Sequence, residues 1–200
     1  MYLRVELSKD LNWDVYIAGI IGKANRSLGF IRKNRNKCPE HVKEQAYLAL
    51  VRPQLEYGSC TWDPYIQKQI KYLESVQRRA ARFVKNEYST TPGSVTKILN
   101  ELKWPTLKDR RKLARLTMMF KVVSGLSAIQ FPPNILFKRR QGTRQFHPKK
   151  FIQVGAKTNK YQHTFIARTI RDWNSSPNSI IEKQSPEASK KAVMCPLSKH

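Results

Sequence analysis

Five aspartates, Asp10, Asp14, Asp63, Asp109 and Asp172, are the first residues to test for chemistry, and each stands alone in the chain. Two-metal catalysis needs carboxylates that hold a pair of ions roughly 3.5–4 Å apart, and there is no Asp-Asp pair to supply them. Asp10 and Asp14 are four residues apart. They fall at a turn and at a helix start, where a carboxylate serves as turn former or cap. Cys38 and His41 have the CxxH spacing of half a zinc site, but Cys60, Cys195 and His200 are not spaced to complete one. A surface pair is the better reading. The sequence carries no Gly-rich phosphate loop, no HExxH and no supported Ser/His/Asp arrangement. No cofactor, no metal and no enzymatic activity are expected of this chain.

What remains is positive charge. Lys and Arg number 38 against 14 Asp and Glu, a net charge of +24. A surplus of this size is a statement about partners, and it favours polyanions such as nucleic acid or an anionic membrane surface. It grows along the chain, from 10 basic against 6 acidic residues in 1–62 to 14 against 3 in 126–200. The clusters are Arg78, Arg79, Arg82 and Lys85; then Lys108, Arg110, Arg111, Lys112 and Arg115; then Lys138, Arg139 and Arg140 with Arg144, Lys149 and Lys150. Such groups can neutralise phosphates and release counterions, which gives sequence-independent, salt-sensitive affinity. Any one cluster alone reads better as a solvated helix face; the surplus of the whole chain, together with the resemblance described below, tips the reading to RNA or DNA phosphates. Trp62, Trp104 and Trp173 could stack bases, but a Trp at a helix boundary is more often a core residue.

The elements that position these residues are mostly helices. Residues 2–7 alternate apolar and polar, the period of a short strand. From 14 to 33, Ile17, Ile20, Ile21, Ala24, Leu28 and Ile31 form one stripe, with Lys23, Arg26, Arg32 and Lys33 mostly off it. A second helix starts near Pro39 and carries Val42, Ala46, Ala49 and Leu50, until Pro53 interrupts it. Residues 57–64 read as a bend. A third helix spans 65–86 on Ile66, Ile70, Leu73, Gln77, Ala80 and Val84. Thr90-Thr91-Pro92-Gly93 breaks it, and Ser94 opens a short helix with Val95, Ile98, Leu99 and Leu102. Thr106 and Asp109 resemble a capping box for a fifth helix that buries Leu113, Leu116, Phe120 and Val123. The fold expected is mainly α, an irregular bundle of about five helices after a short strand. A basic extended arm follows, then a short C-terminal helix at 161–174 and a polar tail at 175–200.

Ordered blocks along the chain resemble the C-terminal region of reverse transcriptases from jockey-like and related non-LTR retrotransposons. They are Lys23-Ala24-Asn25-Arg26-Ser27-Leu28-Gly29-Phe30, then Ala46-Tyr47 with Leu50-Val51-Arg52-Pro53-Gln54-Leu55-Glu56-Tyr57, then Trp62-Asp63-Pro64 and Val76-Gln77-Arg78-Arg79-Ala80-Ala81-Arg82-Phe83-Val84. Leu102-Lys103-Trp104-Pro105-Thr106-Leu107 with Arg110-Arg111, and Thr169-Ile170-Arg171-Asp172-Trp173-Asn174, complete the series. The family has Gly where this chain has Arg4, and Trp-Asn-x-Leu-Pro where Trp173-Asn174 is followed by Ser175-Ser176-Pro177. With Met1 falling inside the homologous strand, these departures imply a decayed or truncated copy, or a reading frame opened mid-element.

The resemblance implies that residues 1–13 are the end of a palm-like strand and turn, and that 14–125 are a thumb-like helical domain followed by a basic arm at 126–160. It also implies a catalytic palm upstream, with the family's Tyr-x-Asp-Asp hairpin, which this chain lacks. The expected partners are RNA or DNA, through the phosphate backbone, and that palm. The competing class is an independent, domesticated basic helical adaptor for nucleic acid or protein. A peripheral membrane binder fits less well, since no strongly basic amphipathic face is flanked by Trp and Phe anchors, and no membrane partner is expected. An odd cysteine count without CxxC fits a reducing, intracellular compartment, and the basic arm fits a nuclear one.

Overall fold

The computed structural model describes Val5, residues 13–129, 131, 135 and 137, and residues 148–178. The strand expected at residues 2–7, apart from Val5, lies outside the described residues, as do Asp10, much of the basic arm and most of the tail. Among the described residues the chain is mainly helical and has no sheet; an isolated antiparallel bridge pairs Phe137 with Phe151. The helices are α1 (Asp14–Arg35), α2 (Glu40–Leu50), α3 (Arg52–Glu56), α4 (Ser59–Trp62), α5 (Gln67–Lys85), α6 (Ser94–Glu101), α7 (Leu107–Val123), α8 (Asn159–Gln162) and α9 (Phe165–Ser175). The chain divides into two compact units, Met1–Arg110 and Arg111–His200, and the division falls within α7.

In the first unit α1 forms because its apolar stripe is long and regular. Ile17, Ile20, Ala24, Leu28 and Ile31 are all buried, joined by Tyr16, while Ile21 is half-buried. The helix packs on α5, whose Leu73, Val76, Ala80, Ala81 and Val84 lie in the same core. Each of the Leu, Ile and Val side chains among these stabilises the fold by roughly 1.5–3 kcal/mol when fully buried, and each alanine by less. Gln69 donates to Asp14 near the start of both helices, and the Arg79 Nη2 donates to Asn25 Oδ1 at 2.9 Å further along. The two helices therefore run parallel, and α2, α3 and α4 make the return crossing between them.

The return crossing departs from its expected face. Val42 and Ala46 of that face are half-buried, but Ala49 and Leu50 are exposed, and α2 turns Lys43 and Tyr47 fully inward. Tyr47 decides this, because its ring stacks on Trp104 at 4.4 Å and its hydroxyl donates to Gln77 Oε1 at 3.1 Å. Gln77 in turn donates to the Pro105 carbonyl at 2.9 Å, so a buried amide on an apolar stripe is satisfied on both sides. Pro53 acts as expected: the chain turns at Val51 and restarts as α3, with the proline in the first turn where no donor is needed. The bend expected at 57–64 contains one turn of helix, α4, entered through Gly58 at a φ of 63°. A side chain there would be strained and would meet Val5 at 3.3 Å.

The second unit has its own core of Leu116, Met119, Phe120, Ile135, Phe151, Ile170 and Trp173. Asn174 holds Phe151 as a neighbouring strand would: its Oδ1 accepts from the Phe151 amide at 3.0 Å and its Nδ2 donates to the Phe151 carbonyl at 2.9 Å. Trp173 Nε1 donates to the Lys149 carbonyl at 2.9 Å. The expected final helix is α9, which buries Ala167, Thr169, Ile170 and Trp173 and leaves Phe165 and Ile166 half-buried.

Candidate nucleic-acid interface

The cations of α5 are placed by its apolar stripe. With Leu73, Val76, Gln77, Ala80 and Val84 turned inward, Arg78 and Arg79 stand exposed. Arg82 is half-buried, and its Nε is buried without a hydrogen bond among the described residues. Lys85 lies 2.7 Å from Glu40 Oε1 and 3.8 Å from Glu101 Oε2. The hydrogen bond to Glu40 holds its ammonium above the ordinary lysine range.

The cations of α7 divide differently. Lys108 is exposed. Arg110 forms a two-pronged pair with Glu56, with Nη2 to Oε2 at 2.9 Å, and this hydrogen bonding raises its already high pKa. Arg111 is fully buried, and Arg115 is 2% exposed. Arg115 donates to Asp172 at 3.0 Å and to Thr169 at 3.4 Å. Sequence periodicity puts these arginines off the stripe of Leu113, Leu116, Phe120 and Val123. In the fold a second stripe, Leu107, Arg111, Arg115 and Met119, is buried as well. The four lie at successive spacings of four, and the apolar residues at both ends of that row are the signal that finds it. Lys138, Arg139 and Arg140 lie outside the described residues.

The carboxylates are held internally. Glu56 takes Arg110, Asp172 takes Arg115, and Glu40 and Glu101 take Lys85. Glu44 accepts from the Trp104 indole at 2.9 Å. Glu74 accepts from the backbone amides of Leu107 and Lys108 at 3.2 and 2.9 Å, capping the N-terminus of α7. Asp109 completes the capping box with Thr106, and Asp14 accepts from Gln69. Asp14, Asp109 and Asp172 thus serve as caps and partners. Among the described residues no group of three or more His, Cys, Asp or Glu side chains gathers as a metal site. Cys38 is half-buried and His41 exposed. Trp62, Trp104 and Trp173 are core residues, at 0%, 8% and 2% exposure.

One concave feature escapes sequence reasoning. Gly29, Arg32 and Lys33 of α1 and Asn36 just after it, with Asn86 and Tyr88 beyond α5, line an open groove of about 580 Å³. These residues at the end of α1 follow a helical spacing and carry two cations. Nothing in the sequence marks Tyr88 as their neighbour, because the pairing depends on α1 and α5 being parallel. No described helix is long and apolar enough to cross a membrane. No protein-family model, no curated protein and no solved structure matches the chain.

Proposed function

We propose that this chain is the post-palm, thumb-like region of a non-LTR retrotransposon reverse transcriptase of the jockey-like type. It holds template and nascent strand by their phosphates and does no bond chemistry of its own. The family assignment rests on the ordered sequence blocks. Several of those blocks meet in the fold: Gln54 donates to Ser27 at 2.8 Å, Arg79 reaches Asn25, and Arg110 pairs with Glu56.

The observation that carries the nucleic-acid role is the uneven use of charge. The carboxylates named above are engaged in caps and pairs, while Lys23, Arg26, Arg32, Lys33, Arg78, Arg79 and Lys108 stay exposed. Positive charge is therefore presented outward on α1, α5 and the start of α7, where it can displace counterions from a polyanion. Arg110, Arg111 and Arg115 serve the fold in this reading, and the phosphate contacts fall to Arg78, Arg79, Lys108 and the cations of α1.

The test is a titration of the full chain with labelled RNA and DNA at two salt concentrations. Micromolar or tighter binding that weakens steeply with salt is expected, and Arg78→Ala/Arg79→Ala should weaken it equally for unrelated sequences. No affinity at low salt, or affinity indifferent to salt, would overturn the role. For the family assignment, genomic DNA upstream of the Met1 codon is translated in all frames. A Tyr-x-Asp-Asp motif there supports it; a promoter and a clean start without polymerase sequence favours the independent adaptor.

A further inference from the structure

Because α1 and α5 run parallel, their last turns finish side by side, and the groove opens at that shared end. Gly29 contributes no side chain, and nothing lies within 4 Å of where its Cβ would stand, so the floor is open. Asn86 ends α5 in a left-handed conformation, at a φ of 51°, and this turn leads the chain on to Tyr88. Tyr88 is 51% exposed. Arg32, Lys33, Asn36 and Asn86 are exposed as well.

Cations near a helix C-terminus have a local explanation, since they complement the negative end of the helix dipole. That explanation covers Arg32 and Lys33 and leaves the rest of the groove unaccounted for. An exposed phenol ring beside two cations and two carboxamides matches the parts of a nucleotide. Cations suit the phosphate, the ring face suits an unstacked base, and an amide offers both donor and acceptor to a base edge. A duplex keeps its base faces stacked and offers only the phosphates. An acidic peptide offers charge but no face to stack.

We propose that this groove seats single-stranded nucleic acid, with Tyr88 stacked on one base and Arg32 and Lys33 on the flanking phosphates. The proposal rests on the nucleic-acid role given above and adds to it a place and a preference for unpaired strands. Base–aromatic stacking contributes enough that losing the ring should weaken single-strand binding about tenfold. Removing two phosphate contacts should reduce the slope of log affinity on log salt by about 1.4 for a single strand.

The experiment uses the full chain and fluorescence anisotropy with a short labelled single strand, as RNA and as DNA. The duplex of the same sequence and a polyglutamate peptide are titrated alongside. Tyr88→Ala should weaken single-strand binding about tenfold and leave duplex binding unchanged, Tyr88→Phe should bind like the wild type, and Arg32→Ala/Lys33→Ala should flatten the salt dependence. Thermal melts of Tyr88→Ala and Tyr88→Phe should match the wild type, because the ring is exposed, and Arg32→Ala/Lys33→Ala should lower the melt only slightly, through the lost complement to the helix dipole. If the wild type binds single strands and Tyr88→Ala binds them equally well, or polyglutamate binds as tightly as the oligonucleotide, the groove proposal fails while phosphate holding elsewhere survives. Absence of binding to every nucleic acid at low salt removes both.

Discussion

Arg115 is the residue at which misplaced charge would cost most. Its guanidinium is 2% exposed and held by Asp172 and Thr169, so removing it leaves a largely buried carboxylate without its partner. Arg115→Met is expected to lower stability by about 3 kcal/mol or more, and Arg115→Met/Asp172→Asn to recover part of that loss. Urea denaturation of the two variants measures it, and a single-variant loss below about 1 kcal/mol would mean that solvent screens the pair. Tyr47 makes a second residue-scale case. Burial pushes its phenol well above the ordinary value of 10.0; Arg52 and Arg110 oppose the shift, and Glu56 and Glu74 add to it. A raised pKa means that the unfolded chain releases this proton first. The stabilisation is complete below pH 10.0 and is lost as pH rises through the higher folded value, at about 1.4 kcal/mol per pH unit. Lys85 acts in the same direction above its ordinary 10.5, because its pairing with Glu40 is lost when the amine deprotonates. Denaturation curves at pH 9 to 11 should show this slope, and Tyr47→Phe should reduce it.

At the scale of elements, α7 is the helix whose start depends on a distant side chain. Its own capping box satisfies the Asp109 amide through Thr106, and Glu74 on α5 satisfies Leu107 and Lys108. Glu74→Ala should destabilise the protein by about 1–2 kcal/mol, and Glu74→Gln by less, since an amide oxygen still accepts but lacks the charge that favours a helix N-terminus. Circular-dichroism melts of both variants test the order. The helices α1, α5, α6, α7 and α9 are legible in the sequence because each repeats apolar residues over two or more turns. The one-turn helices α4 and α8 are not, since four residues carry no period. The inward face of α2 is not legible for a different reason: Tyr47 is drawn in by Trp104, more than fifty positions away, and local spacing cannot report that. The same holds for Arg110, Arg111 and Arg115. Their types and density are plain in the sequence, but their direction is set by Glu56, Asp172 and the two stripes of α7. The groove depends on a parallel helix pair and leaves no trace in either segment alone.

Over the whole molecule, salt should act in opposite senses on folding and on binding. A surplus of +24 repels itself, so screening favours the compact chain, while the same screening weakens contact with phosphates. Raising salt from about 50 to about 500 mM, over which the screening length falls severalfold, should raise the melting temperature and lower nucleic-acid affinity in one sample series. Scanning calorimetry and anisotropy read the two quantities. A melting temperature that falls with salt would show that the engaged carboxylates, rather than net repulsion, dominate.

The allocation of carboxylates has a genetic consequence. Because the acids hold helix starts and buried arginines while the cations of α1 and α5 face outward, lesions in this chain should sort into two phenotypes. Changes at Glu56, Glu74 or Asp172 should reduce the amount of protein that accumulates in cells. Charge reversals at Arg32, Lys33 or Arg78 should leave the protein abundant and weaken its hold on nucleic acid. A mutant collection scored for both abundance and binding would then contain true separation-of-function alleles, drawn almost entirely from the basic residues.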